Sequence, residues 1–495
     1  MLDLLRLTLQ EVISLLRQGK VTSETLVDGY LDNIHKNNAQ GLRLNAISQL
    51  APYDQMIQAA RQLDAERATG RVRSILHGVP ILIKESFGTH EKLGMTTTAG
   101  LVPLKHAHMP YNCTVAERLL EAGAIIINSV YGLSTPNGWS PLYGQTVSPY
   151  APDDTPSGEP GYFDPSGSST GSAVAISAGF AAAAMGMETI GSIVCPARRA
   201  GLYAFKPSAG LLPCKGMLPA MPSIDSPGPM GKTVWDLAVT LEVLAASTSG
   251  TFECRTKGLY NDLAQYRLGV PRKSLPPWQN YDRPVTDNIK RQAEQLFDEV
   301  VKKLAPGVKL DPADISGIED AWGDHPTPES HEAGDAHVGQ FNHPLARPLI
   351  TESLASINSF LQELEDHPIK SVAELVKWNE ENPSKAFPPP YEPGQDELLR
   401  QTLEIDGKKG EAYLADVERV KHLKLKIDRF FIENCLDALI FSGGTGPVGS
   451  HGPLLAAIDG YPLGIVPVAV MTNNEPYAIY LMGKKGDDAN LLAIM

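Results

Sequence analysis

Apolar residues near the start of the chain recur at helical spacing. Thr8-Leu9-Gln10-Glu11 has the form of a capping box, and Val12, Leu15 and Leu16 follow it, so a helix is expected from Thr8. Ser23 opens a second helix with Leu26, Tyr30 and Ile34 on one face, and Ala51 to Ala68 gives a third. The pattern changes at Gly78-Val79-Pro80-Ile81-Leu82-Ile83-Lys84-Glu85, a short apolar and β-branched run that ends in a cation. It reads as a buried strand delivering Lys84 at its end. Residues Thr114 to Ala122 read as a helix and Ala124 to Asn128 as a central strand. Strand, helix and strand in this order predict an α/β fold: one large domain whose central mixed β-sheet is covered by helices on both faces.

The stretch Asp164 to Ala197 holds two Gly/Ser clusters around an Ala-rich apolar segment, which suggests a loop, a buried helix and a second tight loop. Tyr131 to Tyr150, rich in Gly, Pro, Ser and Asn, reads as a long loop. Ala204-Phe205-Lys206-Pro207 and Ser226-Pro227-Gly228-Pro229-Met230 read as turns, and Thr233 to Ala246 as a helix. Helices are expected near Asn288 to Leu304 and Ile350 to Glu365, and strands at Ala438 to Phe441 and Ile465 to Val468. The organisation predicted is an N-terminal helical part (1–70), a catalytic core (78–250), a variable substrate-side region (255–400) and a C-terminal return to the core sheet (401–495).

Composition adds boundaries to this picture. With 42% hydrophobic and 20% charged residues, the 495-residue chain can bury a large core. Its net charge of −14 argues against nucleic acid or an anionic membrane as partner, since both attract basic surfaces. A small molecule, here an amide or acyl substrate, is the more natural partner, with a homodimer as one expected assembly. No window approaches the roughly 18 apolar residues of a spanning helix, and Met1-Leu2-Asp3 begins no signal-peptide pattern, so a cytoplasmic location is expected. Five dispersed cysteines with no Cys-x-x-Cys pair read as reduced thiols.

Several motifs are set aside on their context. Gly444-x-Gly446-x-x-Gly449 matches a dinucleotide fingerprint, but Pro447 and Pro453 leave no obvious helix to receive a pyrophosphate. Gly186 to Ser192 has the spacing of a phosphate loop without its lysine. His106 and His108, or His331, His337 and His343, lack the i, i+4 spacing or Cys partner of a metal site, so no metal and no organic cofactor is expected. Gly167-Ser168-Ser169-Thr170-Gly171 contains Gly-x-Ser-x-Gly, which would make Ser169 a nucleophile elbow with His422 or His451 downstream. That reading leaves Lys84 and the second Gly/Ser loop without a task. A serine hydroxyl is a weak nucleophile near neutral pH, and a desolvated neutral lysine can activate it through a second, relaying serine.

This combination resembles the amidase signature hydrolases. Gly78-Val79-Pro80-x-x-x-Lys84, Thr97-Thr98-Ala99-Gly100, Gly144-Gln145-Thr146, Gly167-Ser168-Ser169, Gly191-Ser192-Ile193, Pro196-Ala197, Lys206-Pro207 and Pro227-Gly228-Pro229-Met230 all match that family's pattern. The resemblance implies Ser192 as the acyl-forming nucleophile, Ser168 as the bridging serine on a cis peptide after Gly167, and Lys84 as the base. It implies an oxyanion hole from the backbone N–H groups of Thr189, Ile190, Gly191 and Ser192, with Thr189, Ile190, Gly191, Leu133 and Cys195 around the substrate.

The sequence departs from the family in the nucleophile loop. Most relatives have Asp-Thr-Gly-Gly-Ser, whereas this chain has Glu188-Thr189-Ile190-Gly191-Ser192. A β-branched residue resists positive φ, so Ile190 strains or shifts the loop if the backbone needs positive φ there. Many relatives carry Arg two residues past the nucleophile; here Val194 and Cys195 follow, with Arg198 and Arg199 beyond. With Trp139 and Tyr143 in the loop expected to line the pocket, the substrate implied is a small, fairly apolar carboxamide, cleaved through an acyl-enzyme. Acyl transfer or ring closure from the same acyl-serine is the alternative, and a catalytically silent binding protein is the other.

Overall fold

The computed structural model describes residues 2–130, 138–150, 163–245, 262–273, 287–318, 344–389, 396–444 and 451–495. An eleven-stranded mixed sheet runs through them. In chain order the strands that concern the site are β1 (Ile47–Leu50), β2 (Pro80–Lys84) and β3 (Ile125–Val130). The short hairpin β4 (Trp139–Ser140) and β5 (Gly144–Gln145) stands apart, and β6 (Ala183–Glu188), β7 (Tyr203–Lys206) and β8 (Ser226–Gly231) continue the sheet. Strands β9 (Leu268–Gly269), β10 (Val308–Leu310), β11 (Ala438–Ser442), β12 (Leu463–Val470) and β13 (Pro476–Gly483) complete it. The order across it is β1-β3-β2-β6-β8-β7-β12-β13-β11-β9-β10. Strand β2 is parallel to both β3 and β6, while β6, β8, β7, β12, β13 and β11 pair antiparallel in succession. The α/β class and the mixed sheet flanked by helices are as the pattern predicts.

The N-terminal helices form where their caps place them. Helix α1 (Leu9–Arg17) carries the full capping box between Thr8 and Glu11, α2 (Ser23–Asn37) is capped by the Thr22 hydroxyl, and α3 is Tyr53–Ala68. The short strand β1, between α2 and α3, has no signal in the alternation that would announce it. Helix α4 (Thr114–Glu121) connects β2 to β3, α5 (Thr170–Ser177) packs on β2, β6 and β8, and α6 (Val194–Arg199) follows the loop that carries Ser192. Helix α7 (Val234–Leu244) packs on β7 and β8.

Two expectations are corrected. The Ala-rich segment is helix α5 followed by strand β6, because a short apolar run such as Ala183 to Glu188 has no periodicity to tell strand from helix. The stretches read as turns at 204–207 and 226–230 are β7 and β8, in the middle of the sheet. Pro227 and Pro229 are two residues apart, so both missing N–H donors fall on one edge of β8, and β7 pairs β8 only at Met230 and Gly231. Gly228 lies where a Cβ would collide with the Phe205 carbonyl of β7, so the glycine serves close approach rather than a turn.

Outside the first half, a helix at Ala346–Glu363 and a long helix at Glu411–Glu433 pack together, and the former occupies the region expected to be variable. Among the described residues no helix is long and apolar enough to cross a membrane.

Candidate active site

Lys84 ends β2, and β6 ends at Glu188 beside it, so both C-terminal strand ends open on the same edge of the parallel part of the sheet. Crevices at such edges are where open α/β sheets bind ligands. The segment before α5 reaches the same edge. Its Ser169 N–H donates to the Ser192 carbonyl at 3.1 Å, which ties the two Gly/Ser clusters together.

The Lys84 side chain is 2% exposed, and its Nζ donates to Ser168 Oγ at 2.7 Å and to the Met187 carbonyl at 3.4 Å. Burial disfavours the ammonium and brings the group down to about 7, while Asp225 and Glu188 oppose that drop. The Gly167–Ser168 peptide is cis. Ser168 and Ser192 are both half-buried, and no direct hydrogen bond links their hydroxyls among the described residues. The structure therefore brings Lys84 onto Ser168 and places Ser192 on the adjoining loop.

That loop is organised by Glu188. Fully buried, it accepts from the N–H of Ile193 at 2.7 Å and of Val194 at 3.0 Å, and the Gly191 N–H also faces it. Burial raises its carboxyl above the ordinary range, against the pull of Lys206 and these amides. The N–H groups of Thr189, Ile190 and Ser192 meet no acceptor among the described residues. Three amides left without a partner on one tight loop suit an oxygen that develops negative charge. Positive φ falls on Gly191, at 81°, and not on Ile190, so the strain expected of the β-branched residue does not arise. Ile190 is instead half-buried against Met221, Ile224, Leu345 and Ala457.

Other expected residues occupy different surroundings. Cys195 is buried at the second position of α6, 3.8 Å from the Tyr480 hydroxyl that donates to it, and burial pushes its thiol up to about 12. Leu133 lies outside the described residues, as do His331, His337, His343 and Gly446 to Gly449. Trp139 is buried, and Tyr143 bonds to Glu85, whose carboxyl also takes the Thr98 hydroxyl. Arg198 and Arg199 turn inward. Arg199 pairs with Glu475, donates to the Asp164 carbonyl at 2.6 Å and lies 3.9 Å from the centre of the Phe163 ring; Arg198 sits 3.8 Å from the same Glu475.

Ser169 is fully buried, its Oγ donating to the Met187 carbonyl and accepting the Met187 N–H, both at 3.2 Å. A hydroxyl spent on the backbone of β6 is not presented as an elbow nucleophile. His108 is buried against Asp366 at 3.1 Å, and no group of three His, Cys, Asp or Glu among the described residues is arranged to hold a metal.

One residue that sequence reasoning missed is Asp225, 1% exposed, which accepts from the Thr189 hydroxyl and from the N–H groups of Ala220 and Met221. It stands in a turn-rich stretch with no motif spacing to single it out.

This arrangement of sheet, loops and buried lysine belongs to a known class. A family model for amidases matches residues 26–322, and the chain belongs to that family; it is an amidase-family hydrolase. A putative amidase of Schizosaccharomyces pombe is 28% identical over 98% of this chain and 83% of its own length. A probable amidase of Arabidopsis thaliana is 29% identical over 98% of this chain and 88% of its own. The fold is that of the peptide amidase of Stenotrophomonas maltophilia, with a TM-score of 0.79 at 24% identity over 99% of this chain and 95% of that one. A peptide amidase bound to the competitive inhibitor chymostatin gives 0.80 at 25% identity, over 99% and 96%.

Proposed function

We propose that the protein hydrolyses a small, fairly apolar carboxamide through an acyl-enzyme on Ser192. The observation that carries this reading is Lys84: a buried lysine at a strand end, brought to about 7, with Nζ 2.7 Å from Ser168 Oγ. A neutral Lys84 takes a proton from Ser168, which takes one from Ser192 as that hydroxyl attacks the amide carbon. The carbonyl oxygen becomes an oxyanion held by the Thr189, Ile190 and Ser192 amides. As the C–N bond breaks, the proton returns to the leaving amine; water then repeats the sequence on the ester, releasing the acid.

Two features support a neutral substrate. Arg198 and Arg199 are committed to Glu475, and the residue two past Ser192 is the apolar, buried Val194. The Ile190 cluster gives the loop an apolar wall. The test compares ammonia release from a series of short aliphatic and aryl carboxamides with that from analogues bearing a second, free carboxylate. Preference for the uncharged series by at least about tenfold is expected, the scale of one or two buried methylenes against an unpaired charge. Preference for the carboxylate-bearing analogues would overturn the substrate reading. Formation of a hydroxamate in hydroxylamine in place of free acid would divide acyl transfer from hydrolysis.

A further inference from the structure

Asp225 lies in the turn that leads into β8 and approaches the site from the far side of β6 relative to Lys84's own strand. One carboxylate oxygen takes the Thr189 hydroxyl, and the other takes the N–H groups of Ala220 at 2.9 Å and Met221 at 3.0 Å. Three donors fix the orientation of this buried group. Thr189 is the first residue past β6, three positions before Ser192. The charges that act on Lys84 are Asp225, foremost, and Glu188 at the end of β6. Glu188 is occupied by the amides of Ile193 and Val194, and Glu85, next to Lys84 in the chain, is turned to Thr98.

We propose that Asp225 is a positioning residue for catalysis, which fixes the nucleophile loop through the Thr189 hydroxyl and supplies a buried negative charge on the Lys84 side of the site. Burial alone would push Lys84 still further from protonation, so that it could no longer carry the proton between the two half-reactions; a buried negative charge opposes this. The same carboxylate holds the start of the loop whose amides receive the oxyanion. Loop geometry and base strength are thus set by one side chain. The inference rests on Lys84 as base and Ser192 as nucleophile.

The test follows the rate of labelling by a fluorophosphonate probe across about pH 5 to 9, where the acid limb reports the base. Asp225→Asn removes the charge, so the limb moves to lower pH by about half a unit or more, and the plateau falls. Thr189→Val keeps the Asp225 charge and removes the hydroxyl, so the plateau falls about tenfold while the limb stays in place. Asp225→Glu retains charge with a longer reach and serves if the Asn variant does not fold: its limb stays and its plateau falls. A folded Asp225→Asn with the wild-type limb, or Thr189→Val with the wild-type plateau, overturns the inference. Ser192→Ala separates the two levels. If it abolishes labelling, an unshifted limb counts against Asp225 alone; if labelling persists, the nucleophile assignment fails and this inference fails with it.

Discussion

The amide of Ser169 donates to the carbonyl of Ser192 at 3.1 Å, so the residue beside Ser168 is bonded directly to the backbone of the loop that carries Ser192. That bond makes one site of two Gly/Ser clusters separated in sequence by α5 and β6. Ser169 supplies backbone and a buried hydroxyl bonded to Met187, while Ser168 is the serine that meets Lys84.

With Lys84 as the proposed base, its protonation sets the pH dependence of the reaction. The base is neutral above about 7 and carries its proton below, so kcat/KM rises with pH through that point. Lys84→Ala should lose about three or more orders of magnitude in acylation rate with the fold retained, as the loss of a positioned base costs about 10²–10⁴ before the relay is counted. A flat acid limb in the wild type, or an unchanged rate in the variant, would count against the assignment.

Stability moves in the same sense. Lys84 titrates lower in the folded chain, about 7, than in the unfolded one, 10.5, so the unfolded state binds more protons between those values and stability rises with pH across the window. Lys84→Met, which fills the space without a charge to desolvate, should raise Tm at pH values near or below 7 and do so less toward the upper end. A melting temperature lowered by the substitution at every pH would contradict the burial of an ionisable group at this position.

Ser169→Ala separates fold from chemistry. It leaves the buried Met187 N–H without its acceptor, at a cost of about 1–3 kcal/mol in unfolding free energy. Labelling by a fluorophosphonate should survive. Loss of labelling in a folded variant would return the nucleophile to the Gly-x-Ser-x-Gly reading.

Gly191→Ala should be the most damaging small change in the loop. The position has φ of 81°, and an added Cβ would lie 2.7 Å from Cys195 Sγ. The loop must shift, and turnover should fall by about 10²-fold or more as its amides leave their positions. Ile190→Gly, whose φ is ordinary, should keep the oxyanion site and weaken packing against Met221 and Leu345. Equal effects of the two substitutions on turnover would show that the loop's geometry does not depend on Gly191.

What the sequence made legible follows from how local each signal is. Thr8 and Glu11 form their box within one turn, and the apolar run before Lys84 announces both a buried strand and a lysine at its end. Strand β8 was hidden because Pro227, Gly228 and Pro229 are turn residues by local preference; the open edge opposite β7 and the contact with Phe205 that permit them are tertiary facts. Asp225 was hidden for a similar reason, since its three donors come from residues 189, 220 and 221. Whether Ile190 would be strained depended on where the loop takes its positive φ, and it takes it one residue later, on Gly191.

Acylation of Ser192 is the central step of the proposed reaction. Intact-protein mass spectrometry after exposure to a fluorophosphonate, with peptide mapping of the adduct, tests this directly. One adduct on Ser192 in the wild type and none in Ser192→Ala is the result the account predicts. An adduct of undiminished yield in Ser192→Ala, mapped to Ser168 or Ser169, would contradict it.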